Sequence, residues 1–325
     1  MKRVLAVLII FSTMLLTFVA CDATDDSSPI ESIESVTEYN IDVEISEDLE
    51  DLTLYSEILY TNCTADTLTS IGVYCYPLAY MKDTEEKAYL YTLDKYCTIE
   101  NFEVLINGEA ATYEIDTSCA YLSIDLAGGV MPEAQIEVGI SYDISVPHCD
   151  LRFGLYDNTL SLGNFYPVVA VYENGSFRKD EYTMVGDPFY SEISDFHVSV
   201  TAPETLILAT SGDIISESAT ENSTKIYTIE GEDLRDFAMS ANYNYNITEG
   251  SSGSTKVLVY TVDDDGADIL ATAVSALEVF GNIMGSYPYS TFSVVETAFY
   301  YGGMEYGSFV TISDDVSNCD EVIIH

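Results

Sequence analysis

Tyr39-Asn40-Ile41-Asp42-Val43-Glu44-Ile45 alternates apolar and polar residues without a break, and Leu52, Leu54, Ile58 and Tyr60 keep the same step. A period of two places every second side chain on one face of an extended chain, so the stretch predicts half-buried strands rather than helix. The pattern recurs over residues 102–106, 136–142, 196–200 and 225–229, with turn signals at Asn107-Gly108, Gly128-Gly129 and Asn174-Gly175. Roughly 200 residues of this kind without a convincing amphipathic helix predict an antiparallel, mainly β domain.

Around residues 246–254 the composition turns to Gly and Ser, which reads as a boundary between a β domain over 39–247 and a second domain over 248–325. In the second, Lys256-Val257-Leu258-Val259-Tyr260 predicts a strand, and Ile269, Ala273, Leu277, Phe280 and Met284 fall at helical spacing. Strands are expected over 293–301 and 308–312, and Glu321-Val322-Ile323-Ile324-His325 reads as the opening of a helix. Asp263, Asp265 and Gly266 match part of a calcium loop. Aligned that way, Thr261 and Thr272 fall at the first and last ligand positions, so an acidic helix N-terminus is the better account.

The 325 residues suffice for two ordinary domains. Eleven Lys and Arg stand against 55 Asp and Glu, a formal charge of −44 that repels phosphate backbones and anionic headgroups and excludes nucleic-acid binding. A hydrophobic content of 47% still supplies the apolar surface of a folded protein. Trp is absent and Tyr reaches 26, so amphipathic aromatic packing falls to Tyr.

Lys2 and Arg3 precede an apolar run over 4–20 that ends in Val19-Ala20-Cys21, the layout of a signal peptide over 1–20. Ser12, Thr13 and Thr17 interrupt the run, which is short for a spanning helix. Ala20 before Cys21, with an acidic tether over 21–38, resembles a bacterial lipobox. Cys21 is therefore the expected lipidation site, and the chain is expected to be secreted and held on the outer face of a bacterial cell membrane by its lipid anchor alone. Cys63, Cys75, Cys97, Cys119, Cys149 and Cys319 remain, an even set that an oxidising compartment allows to pair, and none has zinc-type Cys-x-x-Cys spacing.

Gly302-Gly303-Met304-Glu305-Tyr306 places paired glycines and a carboxylate between two extended runs. An exposed strand there could pair with an extended peptide, with Glu305 meeting a cationic group at the peptide's end. Together with Tyr287-Pro288-Tyr289, Val294-Val295-Glu296 and residues 321–325, in that order, this segment resembles the membrane alanyl aminopeptidase and leukotriene hydrolase family of zinc peptidases. Leu162-Gly163-Asn164-Phe165-Tyr166-Pro167, Val200-Thr201-Ala202-Pro203 and Ala209-Thr210-Ser211-Gly212 are similar to that family's N-terminal domain. The resemblance implies saddle-like antiparallel sheets, followed by the start of a thermolysin-like α+β catalytic domain. It also implies an aminopeptidase acting on peptides with a free N-terminus.

By the same resemblance Gly302, Gly303, Met304 and Glu305 bind substrate, Glu305 capturing the α-amino group, and Tyr306 replaces the family's commoner Asn. His325 matches the first His of the family's zinc motif. The general base and two further ligands of a catalytic zinc would follow it, so the 325 residues are expected to be inactive as they stand. The alternative is a non-catalytic peptide-binding or scaffolding lipoprotein derived from such a peptidase. His148 and His197 read as structural or surface residues.

Overall fold

The alternating stretch forms the strand Thr37–Ile45 in a computed structural model that describes residues 37–82, 93, 95–183, 186–262, 266–313 and 319–325. The predicted signal peptide, most of the tether with Cys21, and Asp263–Asp265 lie outside these residues. Tyr39, Ile41, Val43 and Ile45 are buried, as the period requires. The strand pairs antiparallel with Asp51–Thr61 and parallel with Ser194–Pro203, inside an eight-stranded sheet. In the parallel pair Tyr39 lies opposite Phe196, and their rings stack at 5.0 Å. The Tyr39 hydroxyl accepts the Val169 N–H at 3.0 Å, and burial drives its pKa upward.

Two four-stranded sheets complete the β region, one built from Phe153–Tyr156, Thr159–Gly163, Ile207–Thr210 and Ala238–Asn242, the other around Leu68–Tyr74 and Tyr121–Val130. The chain is mainly β, and most of its pairings are antiparallel. Two of the three turn signals close hairpins, with Asn107-Gly108 and Asn174-Gly175 all at positive φ. Gly128-Gly129 does something else. Both glycines, also at positive φ, lie inside Tyr121–Val130, where the register slips between Leu68 and Ser70, so the pair makes a bulge and not a turn.

The Gly- and Ser-rich stretch is a hairpin, Asn246–Ser252 with Thr255–Thr261, and it opens a five-stranded sheet. Thr255–Thr261, Thr291–Thr297 and Phe309–Ser313 run parallel, and Gly303–Tyr306 returns antiparallel as the outer edge. The parallel step from 261 to 291 needs a crossover, which the helix Ala267–Met284 supplies. One face of the sheet packs Val257, Val259, Phe292, Val294 and Ile312 against Ala273 and Ile323 of the helices. The other joins Tyr260, Val295, Met304, Tyr306 and Phe309 to Ala209 and Ala238 of a β-domain sheet. Burial on both faces explains why Val294-Val295 is apolar without alternation.

The predicted helical face holds for Ile269, Ala273 and Leu277, but Phe280 is 36% and Met284 75% exposed. By length and composition alone this helix could cross a membrane, whereas only the lipid anchor was expected to hold the chain to one. No disulfide joins the described cysteines; Cys75, Cys97, Cys119 and Cys149 are buried thiols, and burial raises Cys75 and Cys149 to about 12.

Candidate functional site

The turn before the edge strand rests on glycine. Gly302 has φ +92, its N–H donates to the Phe299 carbonyl at 3.1 Å, and its own carbonyl accepts the Ser313 N–H at 2.8 Å. That last bond sets the alternation of the ladder. Gly303 opposite Ile312 and Glu305 opposite Val310 are then the non-hydrogen-bonded pairs, so the N–H and C=O groups of residues 303 and 305 turn to the open edge.

Side chains alternate as well. Met304 and Tyr306 are buried toward the β domain, while Glu305 is exposed on the opposite face with Gly303. A Cβ on Gly303 would come within 2.5 Å of Val322 Cγ1 and 3.0 Å of the Thr311 carbonyl. Its absence lets the short helix Cys319–Ile324 lie close to the edge strand. His325 follows that helix and prolongs it, donating its N–H to the Glu321 carbonyl at 3.0 Å. Tyr301, Met304, Glu305, Glu321 and His325 thereby line one cleft of about 350 Å³. The structure brings together Gly303, Met304, Glu305 and His325, with Gly302 setting the turn beside them.

The β domain supports this strand from behind. A Cβ on Gly163 would stand 2.1 Å from the Tyr306 hydroxyl and 2.9 Å from the Arg152 carbonyl, so Tyr306 occupies the space that a side chain at residue 163 would need. Arg152, only 9% exposed, donates from Nε to Met304 Sδ at 3.4 Å and from Nη2 to the Gly186 carbonyl at 2.6 Å. The Phe189, Phe299 and Tyr301 rings surround its guanidinium at 5.5 to 5.9 Å. At the far end of the strand Asp236 accepts the Gly307 N–H at 2.9 Å. Burial pushes the Asp236 carboxyl up to about 6, with the Gly307 N–H opposing and nearby Asp187 and Glu305 adding to the rise.

Sequence reading missed Arg152 and Asp236. A signal was present for Arg152, a cation set between Leu151 and Phe153 in a chain with five acids for every base. His148 and His197 stand apart from the cleft, paired with Glu50 at 2.8 Å and Glu38 at 3.6 Å.

Among the described residues no group of three or more His, Cys, Asp or Glu is arranged to hold a metal ion. His325 is the one imidazole on the cleft, so these residues by themselves do not fit a catalytic zinc, which needs three protein ligands. Comparison with known proteins finds no matching family model and no matching curated protein.

Proposed function

We propose that this chain binds the free N-terminus of a peptide along the edge strand Gly303–Tyr306, as the recognition part of a lipid-anchored zinc aminopeptidase on the outer face of a bacterial cell membrane. One observation carries the reading. The backbone groups of residues 303 and 305 face the open edge, and the exposed Glu305 carboxylate shares a cleft with His325. An extended peptide can add to such an edge through main-chain hydrogen bonds, and its terminal ammonium then meets a carboxylate.

The parallel strands with their crossover helix, the antiparallel edge and the helix leading to His325 support residues 248–325 as the start of a thermolysin-like α+β domain. In this reading His325 is the first zinc ligand, and the described residues supply neither the other ligands nor the general base. The same edge would serve a non-catalytic peptide-binding lipoprotein; zinc content and turnover separate the two.

Calorimetry with alanine tripeptide amides tests the amine anchor. Glu305→Gln keeps the shape and removes the charge, and is expected to weaken binding of the free-amine peptide by about tenfold or more while leaving the N-acetylated peptide as weak as before. Equal affinity of wild type and variant for the free-amine peptide would reject the anchor.

A further inference from the structure

Arg152 is a buried cation without a carboxylate. Among the described residues no Asp or Glu oxygen lies within 4.0 Å of its guanidinium, although the chain holds 55 acidic residues against 11 basic ones. Its hydrogen bonds go to a thioether and a backbone carbonyl, and Nη1 has no partner among the described residues. Taking a guanidinium out of water costs several kcal/mol unless an anion or a full set of acceptors replaces the hydration. Three aromatic faces and a sulfur recover only part of that. With acids so abundant, the omission of one at this place leaves the guanidinium without a counter-charge among the described residues.

The position says where that anion would come from. Arg152 contacts Met304 by hydrogen bond and Tyr301 by its ring face at 5.7 Å, and both of these residues line the cleft that Glu305 shares. Tyr301, 36% exposed, has one side on the cleft and its ring against the guanidinium, while Arg152 itself lies behind Tyr301 and Met304 and does not line the cleft. Successive side chains of an added strand alternate between faces, so one of the first two residues of a bound peptide points to the Met304 side of the edge.

Resting on the peptide-binding reading above, we propose that Arg152 is a specificity-determining residue that pairs with a carboxylate carried by the bound peptide, making the site selective for acidic peptides. The carboxylate can be an acidic side chain in the first two positions or the terminal carboxylate of a dipeptide. Arg suits this because its charge is permanent and its planar fork carries several N–H donors, and with Nε and Nη2 already donating here, Nη1 is left for a carboxylate. The net charge of −44 repels acidic peptides at long range, so such a preference would have to arise locally.

The test is calorimetric titration of the 325-residue chain with matched peptides. Glu-Ala-Ala amide is compared with Gln-Ala-Ala amide, Ala-Glu-Ala amide with Ala-Gln-Ala amide, and Ala-Ala with its amide. In wild type at least one acidic member is expected to bind about tenfold or more tighter than its neutral match. The pair that shows it identifies the source of the carboxylate. In Arg152→Met, which keeps an unbranched side chain in the aromatic cage, that ratio should fall to about one. A strut between Gly186 and Met304 would instead lower both members alike and leave the ratio unchanged.

Equal affinities within all three pairs in wild type, or a ratio that persists in Arg152→Met, would overturn the proposal. Should Arg152→Met fail to fold, the wild-type ratios at low and high salt decide, since a local ion pair must weaken with salt while long-range repulsion relaxes. If neutral free-amine peptides bind and require Glu305 but no acidic preference appears, this inference fails and the amine anchor stands. Absence of binding by every free-amine peptide rejects both.

Discussion

Asp236→Asn should stabilise the protein at neutral pH, and the gain should shrink as the pH is lowered. Burial raises the Asp236 carboxyl from 3.8 to about 6 in the folded chain, against the pull of the Gly307 N–H. Between those two values the folded state holds more protons than the unfolded one, so this group lowers stability as pH rises through the window and the loss is complete above about pH 6. Each pH unit between the two values is worth about 1.4 kcal/mol, giving at most about 3 kcal/mol at neutral pH. Asp236 keeps some exposure, so about 1.5 to 3 kcal/mol is the expected range. Asn preserves an oxygen for the Gly307 N–H at 2.9 Å and removes the charge. Urea unfolding of wild type and variant at several pH values from about 4 to 8 measures the difference, in which the remaining carboxylates cancel. A stability difference that stays flat across this range, or one that favours the wild type increasingly with pH, would refute the reasoning.

Gly163→Ala should cost about 1 to 3 kcal/mol by overpacking, because its Cβ would sit 2.1 Å from the Tyr306 hydroxyl; thermal unfolding should show Tyr306→Phe in the same background recovering part of the loss, and strict additivity of the two changes would count against the contact. The dialysed 325-residue chain should hold zinc no better than micromolar and show no turnover of amino-acid anilides, since His325 is a single ligand on the cleft; metal analysis with a turnover assay checks both, and stoichiometric zinc would contradict it. Mass spectrometry of the protein from a bacterial host should find a diacylglyceryl group on Cys21, Cys21→Ser should release the protein from the membrane, and an unmodified N-terminus elsewhere would reject the anchor.

Part of the fold was legible because its signals are local. Alternation over 39–45 reports itself residue by residue, and Asn-Gly at 107–108 and 174–175 favours the positive φ that a tight hairpin needs. Gly128-Gly129 carries the same local preference, yet the neighbouring strand decides between turn and bulge, so its reading as a turn failed. Phe280 and Met284 match the helical period, but which apolar residues of a helix are covered depends on where the sheet beneath it ends. At the cleft, Gly302 to Glu305 stood out as a short motif. The partners of that motif did not, because Arg152 and Gly163 lie more than a hundred residues upstream of it.

The sequence by itself determined the periodicities, the acidic charge balance, the layout of the N-terminal segment and the motif at 302–306, since each depends on residues adjacent or a few positions apart. Only the tertiary structure decided that Thr37–Ile45 runs parallel to Ser194–Pro203, that Tyr306 fills the space left by Gly163, and that Arg152 is caged behind Met304 without an acid. Those relations join segments about 140 to 160 residues apart in the chain. No local preference encodes them, because they follow from the packing of whole sheets, whose apolar faces can be buried in only a few mutual arrangements.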